Sequence, residues 1–425
     1  MVSATIIRPK YVQFNHFQEK CFSFLLTRGI IEKNKAQTER TSRMHTEKLY
    51  YADPNLREFT ARVLSCQAVK GGYQVELDAT VFYPEGGGQA CDLGTLGQAN
   101  VLDVQESGEQ ILHLCDRPLP VGEEVVGKLD WQRRFDLMQQ HSGEHIVSGI
   151  VHTMFGWHNV GFHVGSDRME IDFDGPITPE QLQLIETKAN KAVWADLPIH
   201  CWYPSQEALP NTFYRTKKEL PWPVRLVQIP GIDSCACCGV HVTTTGQIGL
   251  IKLISCVKFH QGVRIELCCG GRALTLMQQI FEENRLVSQL FSAKMLETGA
   301  AARKMADALA AEKLRANKLQ TALFDKIADQ YAGQTNAWLF QPELAPAQLR
   351  ELADKMADRC SGWAAVIGGC EGAYSICIVS RSMDVKPIGL ALGAKGGGKS
   401  GFFQGSLPST EQEILQILGE ITNNS

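Results

Sequence analysis

The regular part of the chain opens with short segments in which apolar and polar residues alternate. Residues 73–77 (Tyr-Gln-Val-Glu-Leu) and 110–114 (Gln-Ile-Leu-His-Leu) are two such segments, and glycine-rich turns lie between them. Alternation with a period of two is typical of half-buried β-strands, and glycine commonly marks the turns that join them. We therefore expect a small, glycine-rich, β-barrel-like domain over residues 44–130.

The period of the apolar pattern changes after residue 130. Apolar residues then recur at helical spacing, namely Phe135, Met138, Ile146, Ile150 and Met154. A second helix is predicted to begin at Thr178, because Thr-Pro-Glu combines a capping hydroxyl, proline at the first helical position and an early carboxylate. Strand-like stretches follow at 224–229 and 248–254. This pattern predicts an α/β domain over residues 131–272.

The remaining chain divides by composition into two parts. Residues 273–331 are rich in Ala, Leu, Lys, Glu and Gln, contain no proline, and have Gly299 as their only interior breaker. They predict a long helical connector, alone or paired with another helix. Residues 332–425 return to mixed α/β character, with apolar runs at 363–367 and 374–380 and a final helix from about Thr410. The predicted fold class is therefore an α+β multidomain protein.

Residues 1–43 mix charged and aromatic residues without sustained periodicity. We treat them as an N-terminal extension, on the hypothesis that translation begins at Met44.

Bulk composition excludes few partners. The formal net charge is only −4, so a groove for nucleic acid would have to be a local feature. The 14 cysteines include the neighbours Cys237–Cys238 and Cys268–Cys269, which do not resemble the spaced framework of a small secreted domain. No apolar run is long enough to span a bilayer. We expect a cytoplasmic protein with no membrane segment.

Two short motifs predict a metal site. His141 and His145 are four residues apart, which on a helix places both imidazoles on one face. About ninety residues later, the segment from Cys237 to His241 supplies a thiolate and a third imidazole. Sulfur with three nitrogens in tetrahedral array suits zinc. Spacing alone does not choose Cys237 over the nearby Cys235 and Cys238.

Glu144 lies between the two histidines and is a weak candidate for a general base. In the zinc proteases the glutamate directly follows the first histidine, and here it lies three residues after it. The favoured interpretation is a solvated carboxylate on the exposed face of the helix.

A glycine-lysine loop near the end of the chain matches the phosphate-loop pattern. Residues 393–400 read Gly-Ala-Lys-Gly-Gly-Gly-Lys-Ser, which would indicate a nucleotide hydrolase. A phosphate loop must open a helix, however, and residues 401–408 are poor helix formers. ATP binding is therefore doubtful.

Four stretches in order carry a resemblance to a known family. They are residues 80–89 (Thr-Val-Phe-Tyr-Pro-Glu-Gly-Gly-Gly-Gln), 141–145, 237–241 and 262–266. In these the chain resembles the long form of the alanyl-tRNA editing proteins called AlaX, and the editing domain of alanyl-tRNA synthetase. The family's zinc ligands map onto His141, His145, Cys237 and His241, which resolves the cysteine ambiguity. Asp233 and Gly246 also stand where the family pattern has them.

The resemblance implies an aminoacyl-tRNA deacylase that acts in trans. It would remove serine or glycine from mischarged tRNA(Ala), using one Zn²⁺ per chain in the domain at 131–272. Thr80 and Gln89 match pocket residues that contact the misattached amino acid and its ester, although Thr80 could instead only occupy a strand. The alternative is a zinc-containing tRNA-binding module without hydrolytic activity. Whether zinc is catalytic or structural stays open, because the four ligands already fill a tetrahedral shell.

The sequence departs from the family at two places. The family carries Cys-Gly-Gly-Thr-His where this chain has Cys-Cys-Gly-Val-His, and the paired arginines of the synthetases are a single Arg264 here. Neither difference removes one of the four predicted ligands.

The last domain resembles the DHH-associated domain that ends alanyl-tRNA synthetases. Phe402, Phe403, Gln404 and Gly405 follow the glycine-lysine loop as they do there. We expect Lys395 and Lys399 to meet RNA phosphates, with a solvated basic turn as the alternative. A homodimer through the helical connector or this C-terminal domain is a further expectation.

Overall fold

The computed structural model describes residues 46–216 and 220–423. The chain divides into two compact units, Met1–Ile280 and Phe281–Ser425. The predicted mixed α/β class is confirmed, whereas the five predicted domain bounds remain predictions. The N-terminal extension at 1–43 lies outside the described residues. Within the described ranges, no helix combines the length and apolarity needed to cross a membrane.

The amino-terminal part of the first unit is a closed β-barrel. Six strands form it, in the order β2-β3-β7-β6-β5-β8, and β1 pairs with β4 in parallel. Alternate residues of the strands point inward, so that Val75, Leu96 and Ile111 are fully buried. The elements are β1 Glu47–Lys48, α1 Leu49–Ala52, β2 Glu58–Val69, β3 Gly72–Leu77, β4 Ala79–Thr80, β5 Gly94–Leu96, β6 Ala99–Ser107, β7 Gln110–Cys115 and β8 Glu124–Leu129.

The rest of the first unit packs two helices against an antiparallel sheet. The sheet has the order β14-β15-β10-β9, and a smaller sheet has the order β11-β12-β13. The elements are α2 Trp131–Phe155, β9 Asn159–Val164, β10 Met169–Phe173, α3 Pro179–Trp194, β11 His200–Trp202, β12 Leu226–Ile229, β13 Asp233–Ala236, β14 Ile251–Phe259 and β15 Gly262–Cys269. The helix α4, Gly270–Leu290, begins in the first unit and ends in the second. Buried residues of α2, α3 and the larger sheet share one apolar core.

The first predicted helix forms as α2, and the predicted start of the second helix at Thr178 is confirmed. Asp130 caps α2 by accepting from Arg133 N, and Gly156 ends that helix in the left-handed conformation, with φ of 75°. Thr178 caps α3, and Gln181 completes a capping box by returning its side chain to the Thr178 backbone.

A glycine brings α2 close to the chain that leads into β13. A Cβ added at Gly149 would lie 2.4 Å from the carbonyl oxygen of Ile232 and 2.8 Å from Cβ of Asp233. These distances are shorter than side chains tolerate, so only glycine allows this approach. The contact places Asp233 against the buried face of α2.

The second unit carries its own sheet. The sheet has the order β16-β17-β18-β20-β19, in which only β16 and β17 are parallel. The elements are α5 Thr298–Asp329, β16 Ala337–Phe340, α6 Pro346–Ala357, β17 Trp363–Gly368, β18 Tyr374–Ser380, α7 Lys386–Ala391, β19 Lys395–Gly397, β20 Phe402–Leu407 and α8 Glu411–Asn423. The final helix starts after Thr410, as predicted, because the Thr410 hydroxyl accepts from Glu413 N.

The predicted helical connector at 273–331 contains two helices in the structure. The helices α4 and α5 are separated by residues 291–297, and Gly299 lies inside the first turn of α5. Side chains satisfy the backbone at this break, since Ser288 Oγ donates to Ala293 O at 2.6 Å and Asn284 Nδ2 donates to Met295 O at 2.7 Å. Composition did not reveal these local bonds.

We predict that Gly149→Ala destabilises the first unit, because the added methyl group meets backbone atoms that cannot rotate away. The free energy of unfolding should fall by about 1–3 kcal/mol, the usual effect of overpacking. Gly271→Ala in α4 is the matched control, since nothing lies within 4 Å of its added Cβ. Urea unfolding followed by circular dichroism measures both, and equal midpoints for the two variants would contradict the prediction.

Candidate metal centre and adjoining cleft

The four predicted ligand side chains meet at one point in the first unit. His141 and His145 come from α2, and Cys237 and His241 come from the loop after β13. Their donor atoms all lie within 4.8 Å of one another. Cys237 Sγ lies 3.4 Å from His141 Nε2 and 3.5 Å from His241 Nε2. The structure therefore forms a histidine and cysteine cluster that could hold a metal ion.

A second glycine allows the ligand loop to reach α2. A Cβ at Gly239 would lie 2.2 Å from Cε1 of His141. Any side chain at this position would push the loop away from the ring. The chain Cys237-Cys-Gly-Val-His241 thus needs glycine at its middle for steric reasons.

Each imidazole in the cluster is held from outside by a hydrogen bond at Nδ1. The pairs are His141 with Gln89 Oε1 at 2.8 Å, His145 with Asp233 Oδ2 at 2.9 Å, and His241 with Ser142 Oγ at 3.2 Å. Such outer partners fix ring orientation and tautomer around metal sites. With Nδ1 occupied in this way, Nε2 of each ring is left for the centre of the cluster.

The electrostatic environment favours a thiolate at Cys237. Burial alone would raise the pKa of this thiol, but His141 and the other facing imidazoles outweigh burial and hold that pKa well below its ordinary value. Burial lowers the pKa of His241 to about 3, so its ring is neutral at physiological pH. A thiolate and a neutral imidazole are the protonation states that bind metals.

Both carboxylate oxygens of Asp233 accept hydrogen bonds from neighbouring residues. Arg215 donates to both carboxylate oxygens, from Nε at 2.7 Å and from Nη2 at 2.9 Å, while His145 bonds Oδ2. Asp233, His145 and Cys235 also lie within metal-binding distance of one another. Because both oxygens of Asp233 are already used, this second set is the poorer site.

The structure separates the three neighbouring cysteines. Cys237 Sγ faces the imidazoles, whereas Cys235 Sγ lies near the Ala236 carbonyl and Cys238 is exposed. The position of Cys237 agrees with the ligand that the family resemblance implies.

The interpretation of Glu144 as a solvated carboxylate is wrong. Its side chain is only 6% exposed, because this stretch of α2 is buried on all faces. Ser148 Oγ and Asn159 Nδ2 each donate to Oε1 at 2.5 Å. The other oxygen, Oε2, lies 3.8 Å from His145 Nε2 and therefore faces the metal cluster.

A cleft of about 390 Å³ adjoins the cluster. Its walls are the glycine loop 85–90, Gln105, and His163 and Val164 of β9. Gln89 belongs to both features, since it lines the cleft and its Oε1 accepts from His141. Its Nε2 is buried and has no hydrogen-bond partner among the described residues. A buried amide donor without a partner is unusual and leaves Nε2 available to a ligand.

Thr80, a predicted contact of the substrate, is buried and bonded to other residues of the protein. Its side chain is fully buried, and its hydroxyl bonds His113 Nε2 at 2.9 Å and Phe82 N at 3.1 Å. Thr80 is not among the residues that line the cleft. Contact between Thr80 and a substrate therefore stays a prediction. Sequence analysis missed His113, which has no motif around it.

Lys395 and Lys399 are exposed in the second unit. Lys395 lies in β19, and Lys399 lies in the turn before β20. No helix follows Ser400, because the chain turns and enters β20 directly. This geometry differs from that of a phosphate loop, and RNA contact by the two lysines stays a prediction.

Two family models match parts of this chain. Residues 224–264 match the family described as the threonyl and alanyl tRNA synthetase second additional domain, and this match contains Asp233, Cys237 and His241. Residues 25–133 match the family described as tRNA synthetases class II (A).

Two kinds of full-length relative are similar to this chain. It is 30% identical to an alanine–tRNA ligase of Ignicoccus hospitalis over 400 residues, which is 88% of this chain and 43% of the ligase. It is 29% identical to the alanyl-tRNA editing protein Aarsd1 of Rattus norvegicus over 397 residues, which is 86% of this chain and 96% of that protein. The chain thus spans less than half of the ligase but nearly all of the editing protein.

Among solved structures, the C-Ala domain of Aquifex aeolicus alanyl-tRNA synthetase matches 22% of this chain and 91% of that domain, at 18% identity. The TM-score of 0.19 is too low for this match to carry an argument about fold. The chain is therefore similar in sequence to alanyl-tRNA editing proteins over nearly their whole length, and to part of the alanine–tRNA ligases.

Proposed function

We propose that this chain is a trans-acting deacylase that hydrolyses serine or glycine from mischarged tRNA(Ala). The observation that carries the proposal is the cluster of three imidazoles and a thiolate next to a cleft lined by Gln89, whose Oε1 accepts from His141 and whose buried Nε2 has no partner among the described residues. Relatives of nearly the same length are named alanyl-tRNA editing proteins. The chain spans less than half of the alanine–tRNA ligases that it matches.

The residues fit one Zn²⁺ ion. His141, His145, Cys237 and His241 would supply three nitrogens and one sulfur, which is a common donor set for zinc. Outer hydrogen bonds to all three imidazoles, and the lowered pKa of the Cys237 thiol, are the features that such a site needs. When bound, zinc would supply positive charge that polarises the substrate or anchors its amino or hydroxyl group.

The residues around the cluster have separate proposed roles in the hydrolysis. Gln89 Nε2 donates a hydrogen bond to the ester carbonyl oxygen, where negative charge develops during attack. Glu144 Oε2 accepts a hydrogen bond from the attacking water, while Ser148 and Asn159 hold its other oxygen in place. The glycines at 86–88 allow the ester to approach the backbone of the cleft closely.

The second unit and the connector have proposed roles in binding. Lys395 and Lys399 would contact RNA phosphates through their exposed positions. The helix α5 exposes Met305, Leu309, Leu319 and Leu323 at helical spacing, which supports a homodimer through the connector. A cytoplasmic location remains a prediction.

We predict that the protein deacylates seryl- and glycyl-tRNA(Ala) but leaves alanyl-tRNA(Ala) intact. Purified protein is incubated with each charged tRNA, with and without a zinc chelator, and released amino acid is measured. Activity should disappear with the chelator and in Cys237→Ser, whose zinc content should also fall. The matched control Cys238→Ser should keep zinc and activity, because that thiol is not among the four donor groups of the cluster. Tight binding of charged tRNA without release of amino acid would instead indicate a binding module.

We predict that Gln89→Glu keeps zinc but loses activity. The carboxylate still accepts from His141 Nδ1, yet the donor Nε2 is gone. Removal of one oxyanion donor typically lowers kcat by roughly 10²–10³-fold. Gln105→Met in the same cleft is the control and should change kcat less than about threefold. An unchanged kcat in Gln89→Glu would remove the proposed role of Nε2.

We predict that Thr80→Val weakens serine removal more than glycine removal. A site that hydrogen-bonds the hydroxyl of serine can distinguish it, whereas an apolar pocket discriminates poorly. The rates of deacylation of seryl- and glycyl-tRNA(Ala) are compared in both proteins. Equal loss on both substrates would show that Thr80 acts only through its bonds to His113 and Phe82 inside the barrel.

A further inference from the structure

Two tyrosines and an arginine lie beside the loop that carries Cys237. The guanidinium carbon of Arg225 is 4.5 Å from the centre of the Tyr51 ring. The ring of Tyr203 meets Tyr51 edge to face, with centroids 6.5 Å apart. We call Tyr51, Tyr203 and Arg225 the tyrosine–arginine array.

Hydrogen bonds join the array to the ligand loop. The Tyr51 hydroxyl donates to Cys238 O at 2.7 Å. Arg225 Nη1 donates to Cys237 O at 2.9 Å and to Gly239 O at 2.8 Å. A molecule that rests on the array is therefore adjacent to the metal cluster.

Among the residues that the structure describes, the buried Arg225 has no anionic partner. Its side chain is 91% buried, and its contacts among the described residues are backbone carbonyls, the Tyr51 ring and the Cys201 thiol. The nearby Arg215 is paired with Asp233, and the fully buried Arg134 is paired with Asp92. A buried cation without an anion is costly, so the position of Arg225 favours an anionic ligand.

Tyr203 presents an aromatic surface to solvent at the same place. It is 51% exposed, although it contacts the half-buried Tyr51. Exposed aromatic rings combined with arginine are typical of sites that stack bases and bind phosphates of single-stranded RNA ends. The ligand that fits the array thus has one flat aromatic face and one negative group, which describes a nucleotide.

We propose that the tyrosine–arginine array binds the 3′-terminal nucleotide of tRNA, with its base stacked on Tyr203 and its phosphate held by Arg225. This inference rests on the proposed function, in which the ester to be cleaved is attached to the ribose of that nucleotide. In a charged tRNA, the base and the phosphate of the terminal nucleotide are attached to the same ribose as the ester, so they lie within the length of one nucleoside from it. A platform bonded to the Cys237 loop is therefore at the required position.

The test uses uncharged acceptor-stem hairpins that end in CCA or in CC, with binding measured by fluorescence anisotropy at one salt concentration. The unmodified protein should bind the CCA hairpin roughly tenfold more tightly, as expected for one stacked base. Tyr203→Ala should lose this preference, and Tyr203→Phe should keep it. Trp194→Ala is the matched control, because Trp194 is also an exposed aromatic, 72% exposed, and lies outside the array.

A second variant tests the phosphate contact. Arg225→Gln should lower the salt dependence of binding by about one released ion, whereas Arg225→Lys should retain it. Zinc content identifies any variant whose fold is disturbed.

Two results would overturn the proposal: an unmodified protein that does not distinguish the hairpins, or Tyr203→Ala that still distinguishes them. Because the hairpins carry no amino acid, this outcome is independent of hydrolysis. A protein that prefers the CCA hairpin but releases no amino acid would refute the proposed function and leave the array supported.

Discussion

The burial of a thiolate and three imidazoles around one point is the constraint on which the rest of the site depends. Polar groups that leave water must find partners, and buried charge needs compensation. At the outer side of the rings, Gln89, Asp233 and Ser142 meet this need. At the inner side, the four donor atoms lie within 4.8 Å of one another, and a bound cation would complete this arrangement.

Several features of the fold follow from this constraint. The helix α2 must pass close to the loop after β13, and Gly149 and Gly239 remove the side chains that would prevent it. The carboxylate of Asp233 must orient His145 without leaving its own charge unbalanced, and Arg215 balances it. Gln89 contacts the cluster and also lines the cleft. The same side-chain amide can therefore orient the metal ligand His141 through Oε1 and contact a substrate through Nε2.

Sequence predicted the elements that depend on local pattern. The spacing of His141 and His145 placed both on one face of α2, and Thr178 marked the start of α3. Patterns did not reveal the burial of Glu144, because its cost is offset by Ser148 and Asn159, whose bonds depend on tertiary structure. The place where α4 ends depends on comparable bonds, since side chains of Asn284 and Ser288 bond the backbone carbonyls there.

Contacts between residues far apart along the chain also could not be predicted from the sequence. The bond between Thr80 and His113 joins residues 33 positions apart, from β4 to the barrel strand β7. Arg225, which directly precedes β12, contacts the ring of Tyr51 in α1, near the start of the described chain. The choice of Cys237 among three cysteines depended on family resemblance, and the structure supplies the geometric reason, because only this thiol faces His141 and His241.

X-ray absorption at the zinc edge of the purified protein tests the central claim most directly. We predict a shell of three nitrogen atoms at about 2.0–2.1 Å and one sulfur atom at about 2.3 Å. This shell should lose its sulfur in Cys237→Ser and keep it in Cys238→Ser. A shell with two sulfur atoms, or with none in the unmodified protein, would contradict the account.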